Sequence, residues 1–134
     1  MLGALLRLAY QASVQEVSRW LEESGHDIQP AHLAAIQPLW GRPEGARLTT
    51  LAQASHITKQ SMGALIDHLE RIGYVERVED PDDGRAQRVR LTAKGRGFAK
   101  SARAFGRSLE IEWARRIGDE RIEDLREILE ELVG

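Results

Sequence analysis

The feature that most narrows the fold of this chain is a change of period. Through most of its length apolar side chains recur at three- and four-residue steps, the spacing of a helix face, but between Gly73 and Thr92 they do not. There Tyr74, Val75 and Val78 form one short extended run, and Val89 and Leu91 form another with Arg88 and Arg90 on the opposite face. Asp80-Pro81-Asp82-Asp83-Gly84, between the runs, is a turn sequence. The two runs therefore predict a β-hairpin with an extended tip, and the expected fold class is mainly α with one small β-hairpin.

The rest of the chain reads as about six helices. Leu2, Leu5, Leu6, Ala9, Val17, Trp20 and Leu21 mark an amphipathic helix that Gly25 ends. Pro30 opens a short second helix with Leu33, Ile36, Leu39 and Trp40 on one side, and Pro38 should kink it or tighten its last turn. Gly41 to Gly45 is a loop. Thr49 or Thr50 can cap the next short helix, and His56 and Ile57 form a turn. Thr58 caps a helix with the stripe Met62, Leu65, Ile66, Leu69 and Ile72, leaving Gln60, Ala64, Asp67 and Arg71 on its outer face, and Gly73 closes it. Thr92 caps a long helix carrying Phe98, Ala102, Phe105, Leu109, Trp113 and Ile117. Gly118 breaks it, and Ile122, Leu125, Ile128, Leu129 and Leu132 mark a terminal helix.

The formal net charge is only −2, yet its distribution is uneven. No acid occurs from Gly84 to Leu109, where Arg85, Arg88, Arg90, Lys94, Arg96, Lys100, Arg103 and Arg107 lie, whereas the residues from Glu110 onward are predominantly acidic. A basic ribbon in a nearly neutral chain points to a polyanion. The absence of cysteine excludes a thiol redox sensor, a thiolate zinc site and a cysteine nucleophile. No run is long and apolar enough to suggest a membrane span or signal peptide, so a cytoplasmic protein without membrane partners is expected.

Two short helices joined by a tight turn, the second amphipathic and followed directly by a two-stranded ribbon, is the order of a winged helix-turn-helix. Such a unit suits a DNA duplex: the second helix enters the major groove and the hairpin tip reaches phosphate or the minor groove. Lys59, Gln60 and Ser61 are suitable donors at the helix start, and Gly63 and Ala64 leave room for close approach. Asp80, Pro81, Asp83 and Arg85, then Val89, Leu91, Thr92 and Gly95, stand at the spacing D-P-x-D-x-R and V-x-L-T-x-x-G. With Gly73 to Arg77, reading GYVER, this region resembles the MarR family, the multiple-antibiotic-resistance regulators.

The resemblance implies an entwined homodimer in which residues 1–134 form one domain. Residues 30–91 would be the DNA-binding lobe, and residues 1–24 and 92–134 the dimerisation helices. It implies a transcriptional regulator, a ligand-responsive repressor, that binds an inverted-repeat operator in double-stranded DNA. Thr58, Lys59, Gln60, Ser61, Gly63 and Ala64 would lie at the groove-facing end of the recognition helix, with Arg85 at the wing tip and Arg88 beside it. Asp83 would structure the wing, either by pairing with Arg85 or Arg88 or by bonding its own backbone. Asp67 departs from the family pattern, since an acid on the outer face would repel phosphate unless paired, and Arg71, four residues on, can pair with it. Tyr10, Trp20, Trp40 and Trp113 would border a cleft for a small aromatic or apolar effector, or serve as core or dimer packing.

Other chemistries are poorly supported. His26, His32, His56 and His68 form no pair at helix spacing, so no metal site is expected. The neighbouring acids Glu22 with Glu23 and Glu130 with Glu131 diverge on a helix and make no catalytic dyad. No glycine loop for phosphate appears, and neither catalytic residues nor a cofactor is expected. The rival reading is a winged helix that binds a protein partner instead of DNA.

Overall fold

The computed structural model describes residues 1–134. Helices α1 (Leu2–Ser24), α2 (Leu33–Ile36), α3 (Leu48–Ala54) and α4 (Lys59–Arg71) precede strands β1 (Val75–Asp80) and β2 (Asp83–Leu91), and helices α5 (Ala93–Ile117) and α6 (Asp119–Val133) follow. By internal contacts the residues divide into two compact units, 1–99 and 100–134.

In the first unit the expected punctuation holds where it is local. Gly25 takes a left-handed conformation (φ 76°) and stops α1. Pro30 begins a 3-10 turn that leads into α2, and Pro38 lies in a second 3-10 turn, Gln37–Leu39, so the proline tightens the end of this segment. At the end of α4 the amides of Gly73 and Tyr74 return to the carbonyls of Glu70 (3.1 Å) and Leu69 (2.9 Å), which requires the left-handed Gly73 between them (φ 88°). The Thr92 hydroxyl accepts from the Gly95 amide (3.1 Å) and donates to the Gly73 carbonyl (2.6 Å). One side chain thus caps α5 and ties it to the end of α4.

Two local expectations are overturned. Neither Thr49 nor Thr50 caps α3, because the helix starts at Leu48 with the extended Arg47 at its cap position. The reason is a strand contact: Ala46 exchanges both backbone hydrogen bonds with Val89 of β2 (2.9 and 2.8 Å), and the chain turns into α3 as soon as that pairing ends. Both threonines then fall inside the first turn. The hairpin tip is also shorter than expected, since Asp80 pairs with Asp83 and only Pro81 and Asp82 remain beyond them. The extra length sits in β2. Glu79 pairs with Gln87, so Gly84, Arg85 and Ala86 bulge out without partners.

The core of this unit is the face predicted for α4 together with its neighbours. Met62, Ile66 and Leu69 are fully buried with Ile36, Leu39, Leu51, Val75 and Val89. At its edge Tyr74 is buried, with its hydroxyl 2.6 Å from His26 Nδ1 and its ring edge-on to Phe98. His26 is therefore a packed partner of Tyr74, and burial raises the pKa of that phenol. The first three turns of α1 differ: Leu2, Leu5, Leu6, Leu8 and Tyr10 are all exposed.

In the second unit α6 buries none of its residues, and Ile111, Ile117, Leu125, Ile128, Leu132 and Val133 remain exposed. Gly118 (φ 98°) separates α5 from α6 as expected, and Arg126 joins the two helices through Glu110 (2.8 Å). No helix is long and apolar enough to cross a membrane.

Candidate nucleic-acid interface

The start of α4 is a built cap with its reading edge left open. Thr58 accepts the Ser61 amide on its hydroxyl (3.0 Å) and donates to the Ser61 hydroxyl (2.9 Å), so the Ser61 proton remains available outward. Lys59 and Gln60, both exposed, make no side-chain hydrogen bond or ion pair within the protein. No acid occupies the first turn of α4, where one would favour the helix dipole; a lysine stands there instead. Ala64 is exposed on the same side. Gly63 turns toward α3, where an added Cβ would lie 3.7 Å from Leu48, so it serves the contact between the two helices.

In β2 the basic residues are largely neutralised from within. Arg90 pairs across the strands with Glu76 (2.7 Å), and Arg88 lies 3.3 Å from both Asp80 and Asp82. Arg85 is the exception: it is exposed and makes no ion pair, its position set by the bulge. Asp83 fixes that position through the backbone, accepting the Arg85 amide (3.0 Å), and pairs with neither Arg85 nor Arg88 through their guanidinium groups. Of the two roles considered for Asp83, the turn-forming one is observed.

Asp67 does not pair with Arg71. Its partner is Arg77 of β1, which donates to Asp67 (2.8 Å) and Glu70 (2.7 Å) together. A strand arginine that reaches two carboxylates one turn apart gains more than the single-turn helix pair, and it fastens the outer face of α4 to the hairpin.

The organising group of the hairpin is Asp80, singled out in the sequence only as part of a motif. Its carboxylate is buried, accepts from Arg47 Nε (2.7 Å) and the Asp82 amide (2.9 Å), and lies against Arg88. The Arg47 hydrogen bond is the main cause that lowers its pKa from 3.8 to about 2. Asp80 so locks the hairpin to the segment that enters α3. A clue was present in the sequence: an acid directly before the turn proline, in a hairpin otherwise rich in arginine.

Between the start of α4 and the bulge lies a cleft of about 630 Å³ whose lining includes Arg47, Lys59, Arg77, Glu79 and Arg85. No group of three or more His, Asp or Glu side chains is brought together as for a metal ion. The His32 and His68 rings do stack, with centroids 4.6 Å apart, and burial, then the neighbouring His68, lowers the His32 pKa. The aromatic set is dispersed within the first unit: Trp20 packs on Phe98 (5.9 Å), while Tyr10 stands out 69% exposed about 15 Å away along α1. Trp40 follows the second 3-10 turn, and Trp113 belongs to the second unit.

A family profile described as MarR family matches residues 26–86, the span from His26 to the bulge. The HTH-type transcriptional repressor Mb2911 of Mycobacterium bovis is 31% identical, with 81% of this chain and 86% of that protein aligned. The chain belongs to the MarR family. It is a MarR-family transcriptional regulator, and solved structures share its fold. The transcriptional repressor CouR bound to a 23-mer DNA duplex superposes with a TM-score of 0.85 at 23% identity, covering 100% of this chain and 93% of that one. CouR from Rhodococcus jostii RHA1 bound to p-coumaroyl-CoA gives 0.84 at 22% identity, covering 98% and 90%.

Proposed function

We propose that this MarR-family regulator is a cytoplasmic homodimer that binds an inverted-repeat operator in double-stranded DNA as a repressor, without catalytic activity. Residues 30–91 act as the DNA-binding lobe, and residues 1–24 and 92–134 as dimerisation helices. The observation that carries the reading is a contrast in pairing. Arg77, Arg88 and Arg90 are neutralised by carboxylates, whereas Lys59, Gln60 and Arg85 are exposed with no partner in the chain. Lys59, Gln60 and Ser61, with Thr58 as their cap, Ala64 exposed on the same side and Gly63 packed behind them against α3, are positioned for the major groove. Arg85 is positioned for phosphate or for a narrow minor groove. Arg88 contributes by holding the wing.

Arg85→Ala should leave the fold intact and weaken duplex binding, lowering the salt slope by about 0.9 if it touches one phosphate. Gln60→Ala should instead relax preference at one base pair, at a cost of about 1–3 kcal/mol for a bidentate contact. Titrations of both variants across salt, on an operator selected from random duplexes, test this. Unchanged binding by Arg85→Ala on every duplex would refute a DNA-contacting wing. Absence of wild-type binding at low salt would favour the protein-interaction alternative.

The dimer is supported by the exposed apolar residues of α1 and α6, which a second copy would cover. Sedimentation at micromolar concentration should give a dimer; a monomer would overturn the assembly. The p-coumaroyl group of the CoA thioester bound to CouR supports the aromatic character of the small aromatic or apolar effector proposed here, with Tyr10, Trp20, Trp40 and Trp113 as candidate contacts in the assembled dimer.

A further inference from the structure

The cleft between the start of α4 and the bulged part of β2 contains a cation that neither the motif nor the helix pattern singled out. Arg47 stands immediately before α3, outside the recognition helix and outside the wing. Its Nε is bound to the buried Asp80 carboxylate at 2.7 Å, yet its side chain remains 49% exposed and lines the cleft. A guanidinium held through Nε keeps its terminal amino groups for a second acceptor, already oriented and with little freedom left to lose. Lys59 and Arg85 line the same cleft without partners. Arg77 is spent on Asp67 and Glu70, and the one acid in the lining, Glu79, lies beside Gly84.

We propose that this cleft carries one DNA strand past the protein and that Arg47 binds a phosphate in it, as the third cation beside Lys59 and Arg85. The inference rests on the DNA-binding reading above. Arg47 is then bifunctional: Nε fixes the wing through Asp80, and the opposite edge of the same guanidinium meets the duplex. A backbone contact of this kind sets the register of the recognition helix without reading sequence.

The test separates a phosphate contact from a purely structural role. Binding of the full chain to its selected operator is measured across salt for the wild type, Arg47→Gln, Arg47→Lys and Arg85→Ala. Arg47→Gln should lower the salt slope by about 0.9, so that its binding curve and that of the wild type diverge about eightfold for each tenfold change in salt. Arg47→Lys retains the charge and should retain the slope, which keeps the test open should the glutamine variant fold poorly. Parallel lines for Arg47→Gln, weaker but with the wild-type slope, would overturn the proposal, as would a lowered slope in Arg47→Lys. In both cases wild-type binding and the Arg85→Ala effect would stand, so the DNA-binding reading would survive. Absence of wild-type binding at low salt would remove both.

Discussion

Gly95→Ala should destabilise the protein by about 3 kcal/mol, a fall of roughly 10 °C in melting temperature, although the substitution lies in a helix where alanine is intrinsically preferred. The cause is a close approach of backbone to backbone. A Cβ on Gly95 would collide with the carbonyl oxygen of Tyr74 and crowd Leu91 at 3.1 Å. That carbonyl cannot move freely, because it also accepts the Thr92 amide (3.1 Å) while Tyr74 itself is buried against Phe98 and bonded to His26. The first turn of α5 would have to lift away from the end of α4. Gly97, two residues on in the same helix, has open space at its Cβ position, and Gly97→Ala should be neutral or stabilising by up to about 1 kcal/mol. Thermal melts of the two variants provide the comparison; equal melting temperatures would show that the close approach carries no cost.

Asp80→Asn should disconnect the wing. The carboxylate is the common partner of Arg47 and Arg88, and the amide that replaces it removes the charge that holds two guanidinium groups together. Duplex binding should fall at least as far as in Arg85→Ala, since the loss affects the presentation of the whole bulge and of Arg47. The variant also carries a pH signature. The folded pKa of Asp80 is about 2, below its ordinary 3.8, so the stabilisation is fully present above about pH 4 and is lost as the pH falls through 2. The wild type should therefore lose more stability than Asp80→Asn between pH 5 and pH 2. Melts at both pH values measure this, and identical pH dependence in the two proteins would contradict it.

What could be read in the sequence is what acts over a few residues. Thr58, Gly73, Thr92 and Gly118 cap or stop helices through bonds to backbone groups next to them, and each does so where its type and position imply. The apolar stripe of α4 likewise became core because the period of a helix fixes its face. The misreadings involve partners far away in the chain. Arg47 and Asp80 are 33 residues apart, and nothing local to either reveals the other. Thr49 and Thr50 lost the capping role because Ala46 pairs with Val89, an interaction invisible from the loop sequence alone. Asp67 had a plausible partner in Arg71, but Arg77 could reach two acids at once. The same holds at the candidate interface: the exposed donors of α4 followed from helix phase, whereas the neutralised arginines of the ribbon required knowledge of where the acids lay.

The irregular strand β2 has a consequence for how such a wing can diversify. From Gln87 onward its register is pinned by pairing with Glu79 and by the clasp between Val89 and Ala46, while Asp80 and Asp83 close the tip from the other side. Gly84, Arg85 and Ala86 lie between these two fixed points and belong to neither ladder. In a regular strand one inserted residue would turn every following side chain to the wrong face of the sheet. Here residues can be added or removed inside the bulge while Val89 still faces the core, so the reach of Arg85 is a length the protein can alter without refolding.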